Sequence, residues 1–253
     1  MKIHHNISLL ALTAQLASAA SINFIDRTSL ASEASFNLTE IGTTDWAYWD
    51  TNANPAASGA ATNDMNGGFG IGSISNVGTG TELRGTSSAA VDTVFAYSNG
   101  SSDLSGTVNG VTGLFSTNIT ASNEGVQLDI TLADAGQAYE INIWAGAYAT
   151  PSGSIVASMN GATSYVSGNT GGAGDSGWYG DSSTPREPYL YTFNVIADNP
   201  NEVFNFSITT AGTQNANSHV LIAAAAVSAI PEPGTYAFLA GICMLGFVML
   251  RRR

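Results

Sequence analysis

The sequence predicts an all-β protein, an antiparallel β-sandwich held between two apolar terminal segments. Three observations lead there. At least five stretches alternate apolar and polar residues with a period of two, the signature of strands that bury one face. Between them, Asn-Gly pairs at Asn99-Gly100, Asn109-Gly110 and Asn160-Gly161 supply the residues that tight hairpin turns demand. Charge, finally, is scarce and segregated. Only 10% of the 253 residues are charged and the net charge is −12, yet residues 20–230 alone set three arginines against eighteen acids, a net −15.

That balance excludes whole classes of function. Lys2 is the only lysine, and a lysine-free body at −15 cannot neutralise phosphates, so no nucleic-acid partner is expected. With Cys243 as the single cysteine there is neither a disulfide framework nor a cysteine-ligated zinc site. The polar surface must come mostly from the 28 serines, 25 threonines and 21 asparagines.

Residues 1–6 are polar and carry Lys2, residues 7–16 are mostly apolar, and Ala17, Ser18 and Ala19 are small. The apolar stretch is too short to span a bilayer, which takes about 20 residues. Charged, apolar and small-residue segments in that order predict a secretory signal peptide over residues 1–19, cut after Ala19 with Ala20 as the alternative. Signal peptidase and the general export machinery are the partners it implies. His4 and His5 leave with the peptide.

The body, residues 20–228, carries the alternating strands. Val126, Leu128, Ile130 and Leu132 form one apolar face, and Tyr139, Ile141, Ile143 and Ala145 the next. Ile155, Ala157 and Met159 continue the pattern, followed by Tyr189, Tyr191, Phe193 and Val195, then Phe204, Phe206 and Ile208. Val220, Ile222 and Ala224 make a last strand. Residues 52–68 and 168–188, rich in Gly, Asn, Asp and Ser, are expected as loops, and no helix is expected between the termini.

Residues 229–253 are built differently. Pro231, Glu232 and Pro233 stop any strand or helix, residues 236–250 are fifteen residues without a charge, and Arg251, Arg252 and Arg253 follow. As a helix, residues 236–250 cover about 22 Å of a hydrocarbon core near 30 Å, enough for a short transmembrane span if the arginines snorkel. The arginine cluster holds that end in the cytoplasm, so a cleaved signal peptide and this tail agree on one topology. Cys243 lies inside the span as a small apolar residue.

This tripartite tail resembles the PEP-CTERM sorting signal: Pro231, Glu232 and Pro233 are the motif, residues 236–250 the span and Arg251, Arg252 and Arg253 the basic anchor. The resemblance implies an exported protein of a Gram-negative bacterium. It would be held first in the inner membrane, handled by an exosortase, and then left at the cell surface, on the outer membrane or in the extracellular matrix with exopolysaccharide. A plain anchor that is never processed is the alternative.

The run Asn37-Leu38-Thr39-Glu40-Ile41-Gly42-Thr43-Thr44-Asp45-Trp46-Ala47-Tyr48-Trp49 is similar to the opening strand of bacterial extracellular β-sandwich modules. Residues 93–100 correspond to their central strand, 143–148 to a later one, and 189–195 and 220–227 to the closing strands. The position after the second aromatic, usually Gly, is Asp50 here. The likeness implies a jelly-roll sandwich similar to galactose-binding-like carbohydrate modules.

Catalytic constellations are sought and not found in the sequence. A nucleophilic triad would need His219, the body's one histidine, which stands at a strand start where simple packing is expected. One histidine and no body cysteine make a zinc site implausible. The strand-borne acids Asp129 and Glu140 read as outward residues and not as a glycosidase pair. No catalytic residue, metal ligand or enzymatic activity is therefore expected. Structural calcium is the one cofactor the acids admit. Asp50, Asn52 and Asn54 begin with calcium-loop spacing, but Pro55 and Ala61 stand where the sixth-position Gly and twelfth-position Glu belong. Asp175 and Asp181 could still donate oxygens.

Carbohydrate contact has a clearer candidate, because sugar faces stack on aromatic rings. Trp178 and Tyr179, flanked by Asp175 and Asp181, are the residues that would make it. Trp46 and Tyr48 share one strand face and Trp49 takes the other, as core residues do, while Trp144 is expected to face outward. The leading expectation is a non-enzymatic surface or matrix protein. A carbohydrate-binding module is the alternative, and a polysaccharide-cleaving enzyme stands third.

Overall fold

A strand with one apolar face needs a partner layer, and a strand apolar on both faces needs two. The computed structural model describes residues 19–31, 33–51, 58–78, 82–85, 93–117, 123–148, 153–166, 189–210 and 219–231. Sixteen strands fall within them, in sheets that are antiparallel but for one short parallel pair. The predicted all-β class therefore holds.

The largest sheet has eight strands. It runs β1 (Ser21–Ser29), β14 (Tyr189–Ile196), β11 (Ala138–Tyr148), β16 (His219–Ala229), β3 (Asp45–Tyr48) and β4 (Asn63–Asp64). The far edge of β16 is shared: β3 pairs along Ala224 to Val227, while β9 (Leu114–Thr117) pairs at Leu221 and Ile222 and carries β6 (Glu82–Arg84) outside it. A five-stranded sheet packs on one face, in the order β13 (Tyr165–Val166), β12 (Gly153–Ser158), β15 (Glu202–Thr210), β10 (Gly125–Leu132) and β5 (Ile71–Val77). On the other face lies a three-stranded sheet of β2 (Ser35–Asn37), β7 (Val94–Ser98) and β8 (Ser105–Asn109).

The predicted alternation accounts for the first of the two cores. Val126, Leu128, Ile130 and Leu132 from β10 and Phe204, Phe206 and Ile208 from β15 meet Ile141, Ile143, Phe193 and Val195 of the large sheet, all buried. Each such side chain contributes roughly 1.5–3 kcal/mol of transfer free energy, which is why the eight aligned pairs across β10 and β15 hold register so firmly.

The second core lies on the opposite face of the large sheet, which a two-layer sandwich would leave in water. Trp46, Tyr48 and Trp144 project there against Phe95 and Tyr97 of β7, with ring centroids of Trp46 and Tyr97 5.2 Å apart and of Phe95 and Trp144 5.4 Å apart. Trp144 is thus fully buried and not outward-facing as its strand alternation suggested, because β2 and β7 cover it. Trp46, Tyr48 and Trp49 divide between the two cores as expected, Trp49 donating its indole N–H to the Gly59 carbonyl at 2.9 Å.

Being covered on both faces explains the alanines of β16. Ala224 lies between Trp144 and Tyr48, and Ala226 between Asn142 and Trp46, so small residues in the central strand leave room for the large ones beside them. A bulge at Ala223 shifts the phase. Ile222 faces the first core, Ala224 the second, and the first-core face resumes at Ala225 and Val227, which corrects the simple Val220–Ile222–Ala224 alternation.

Two further departures are local. Asn37 caps a four-residue helix, α1 (Leu38–Ile41), by accepting from the Thr39 N–H at 3.2 Å, so the run likened to an opening strand begins as a helical turn. Within the predicted loop over 52–68, β4 pairs Asn63 with Tyr48; residues 52–57 lie outside the described residues. The Asn-Gly turns hold, with φ of 59° at Asn99, 66° at Gly110 and 74° at Gly161. Replacing Ala224 by Leu should overpack the Trp144–Tyr48 gap and lower stability by about 1–3 kcal/mol, read from urea unfolding at unchanged m. A neutral outcome would contradict the two-sided burial of β16.

Candidate functional site: the exit of the C-terminal segment

The C-terminal segment leaves the fold as the direct continuation of β16, the central strand of the central layer. Its last paired residues are gripped from both sides. On the β11 side the Ile230 N–H donates to the Ala138 carbonyl at 2.7 Å, and the Gln137 amide donates to the Ile230 carbonyl at 2.7 Å and to the Ala138 carbonyl at 2.8 Å. On the β3 side the Ala229 N–H donates to the Thr44 hydroxyl at 3.0 Å, the Thr43 N–H donates to Ser228 Oγ at 3.0 Å, and the Thr44 N–H donates to the Val227 carbonyl at 3.0 Å. Pro231, which has no N–H to pair, is exposed immediately beyond this collar. β16 thus ends two residues before the Pro-Glu-Pro run begins.

The chain also enters at this end. Ser21 pairs with Ile196, Ile196 with Ala138, and the neighbouring Tyr139 with Ala229. The start of β1 and the end of β16 thus stand three strands apart on one rim, about 14 Å at normal strand spacing. Ala20, the residue after the predicted cleavage point, packs against the first core.

Asp45 shapes the same end. It begins β3 opposite Val227 and is buried, its Oδ2 accepting the Ile71 N–H at 3.0 Å, with Gly68 so close to Oδ1 that no Cβ would fit. This ties down the segment that presents Phe69, half exposed at 50%. Burial pushes the Asp45 carboxyl up to about 6, opposed by hydrogen bonds from the Ile71 and Trp46 N–H groups and reinforced by the Asp64 carboxylate. Neither Gln137 nor Asp45 was singled out in the sequence. An isolated turn glutamine gives no signal, although an acid directly before a buried Trp-Ala-Tyr strand is a usable one.

The other sequence-derived candidates separate. Asp175, Trp178, Tyr179 and Asp181 lie outside the described residues, as do residues 1–18 and 232–253. Asp50 is engaged structurally, its Oδ1 accepting the Thr112 N–H at 3.2 Å. Asp129 lies on the outer face of the five-stranded sheet, accepting from Gln127 and Asn205, whereas Glu140 lies on the second-core side of the large sheet and accepts from Asn142. On the far faces of two adjacent layers, these two carboxylates form no pair. His219 opens β16 and packs on Phe115, ring centroids 4.6 Å apart. Among the described residues no three His, Cys, Asp or Glu side chains converge as a metal site, and no helix is long and apolar enough to cross a membrane.

Comparison with known proteins bears on this exit directly. Residues 229–253 match the PEP-CTERM protein-sorting motif, beginning at the last residue of β16 and containing Pro231, Glu232 and Pro233. The chain thus carries a signal for export sorting. No curated protein matches the chain. A solved structure described as "CBM4 structure and function" shows 14% identity over 47% of this chain and 84% of that chain, at a TM-score of 0.28. A superposition that loose carries no argument about ligand or fold.

Asp45 gives the end a pH signature. Its folded pKa of about 6 lies above the ordinary 3.8, so the native state binds its proton more tightly than the unfolded chain does. Its contribution is full below about pH 3.8 and is lost as pH rises through about 6, a swing of about 3 kcal/mol at most. Asp45→Asn should remove this swing, so that wild type loses stability relative to the variant between pH 4 and 7 in urea titrations. Parallel pH profiles would contradict a buried, raised Asp45.

Proposed function

We propose that the chain is a non-enzymatic surface or matrix protein, exported through its signal peptide and handed to an exosortase at Pro231, Glu232 and Pro233. The observation that carries this reading is the sorting match over residues 229–253, which starts at the point where the fold lets go of the chain. The residues 236–250 anchor the precursor in the inner membrane, Arg251, Arg252 and Arg253 hold its cytoplasmic end, and removal of the tail leaves the sandwich at the cell surface or in an exopolysaccharide matrix. The non-catalytic assignment is supported by the placement of Asp129 and Glu140 in different layers.

Mass spectrometry of the surface and secreted fractions tests it. The expected mature chain starts near Ala20 and lacks residues 236–253, and replacing Pro231, Glu232 and Pro233 by Ala traps the precursor in the inner membrane. An intact tail on surface protein, with an unchanged distribution in the variant, would sink the proposal.

A carbohydrate-binding role is the second reading. It rests on the sequence run in which Trp178 and Tyr179, rings that could stack on sugar faces, are flanked by Asp175 and Asp181. On a glycan array, Trp178→Ala and Tyr179→Ala should each cut binding at least tenfold. Equal binding by wild type and both variants, or no binding by any, rejects that site.

A further inference from the structure

The short distance between the fold and the expected membrane span constrains how the precursor stands. Only residues 231–235 separate the collar at Ile230 from the apolar run, and five residues reach at most about 18 Å when fully extended. The eleven residues of β16 are themselves about 36 Å long. The far end of the body therefore lies about twice the tether length from the exit.

Tilting the body onto its side is hindered by where the tether leaves. β16 has β11 on one edge and β3 and β9 on the other, with a sheet on each face, so Ile230 emerges near the middle of the end. To lie flat, the tether would have to cross one covering layer of about 10 Å and turn over its rim, using up most of its reach. The start of β1 shares the same rim, so before signal cleavage a second tether points the same way.

This end also carries exposed apolar side chains. Phe69, 50% exposed, stands beside Gly70, whose carbonyl accepts the Thr131 N–H at 2.8 Å, and Val203, 43% exposed, pairs with Thr131 on the outer face of the five-stranded sheet next to this rim. No lysine or arginine among the described residues lies in the turns here, and Asp134 and Asp198 are exposed. Resting on the reading that residues 236–250 span a membrane, we propose that this end is a lipid-contacting surface: the precursor stands upright on the bilayer with Phe69 and Val203 in the headgroup layer.

The contact is weak by construction. Two partly exposed apolar residues and no cation hold a bilayer only while the tether supplies a high effective concentration. Loss of the tail removes that concentration, and the same surface lets go.

The test uses the full-length chain carrying Cys243→Ser, reconstituted in phosphatidylcholine vesicles containing headgroup-nitroxide lipid. A bimane is placed through Asn199→Cys at the exit end, Ser75→Cys on the outer face of the five-stranded sheet, or Ser29→Cys at the far end of β1. Quenching at position 199 should be at least threefold that at 29 and 75, and should fall by about half on adding Phe69→Ser with Val203→Thr. Equal quenching at all three positions, strongest quenching at 75 or 29, or no effect of the double replacement overturns the inference. Co-flotation with vesicles separates the two claims: flotation with flat quenching overturns only the upright contact, whereas failure to float overturns the membrane anchor as well.

Discussion

Burial of β16 on both faces is the constraint on which the rest of the structure depends. A strand in the central layer must be apolar throughout, yet it cannot also be bulky, because its neighbours β11 and β3 supply Trp144, Tyr48 and Trp46 to the same layer. Alanine at positions 223 to 226 reconciles the two demands. The bulge at Ala223 then lets one strand serve two cores whose side-chain phases differ. Without a thin central strand the Trp144 indole could not reach Phe95 and Phe36, nor the Trp46 indole Tyr97, and the three-stranded sheet would have nothing to cover.

The same strand is the one that leaves for the C-terminus. Force or fraying at the sorting segment is therefore transmitted to the best-anchored element of the fold and not to a peripheral edge. Gln137 on one side and Thr43 and Thr44 on the other close the ladder at Ile230, and proline ends it because it has no donor to offer. The described ladder thus ends at Ile230, and Pro231, the first residue of the Pro-Glu-Pro run, is exposed. The outer edge of the large sheet is protected in another way. β1 carries a register shift between Phe24 and Asp26, with Asp26 and Arg27 following, so its free edge is bent and charged against further strand addition.

The acids divide by environment. Asp45 is buried and raised because it ties the Phe69 segment to β3, while Asp129 sits in an exposed amide network on a sheet face rich in hydroxyl and amide groups. Among the described residues, Asp45, Asp129 and Glu140 thus stand on different faces of the sheets.

Much of this was legible in the residues. Period-two alternation located β10, β11, β12, β14 and β15 and their first-core faces, because burial on one side of a strand is a local property of its pattern. The terminal sorting segment was legible for a similar reason: motif, apolar run and arginine cluster are contiguous. Trp144 misled because its exposure depends on β2 and β7, about 107 and 50 residues away along the chain, a layer no local pattern announces. The phase of Ala224 and the collar around Ile230 were equally hidden, since a bulge and a side-chain grip from Gln137 exist only once strands are in register. The sequence by itself determined the class of fold, the strands of the first core and the address at the C-terminus. Tertiary structure alone decided that there are three layers, that the start of β1 and the end of β16 share one rim, and that the sorting match begins at the last residue of the central strand, because these are properties of distant segments meeting.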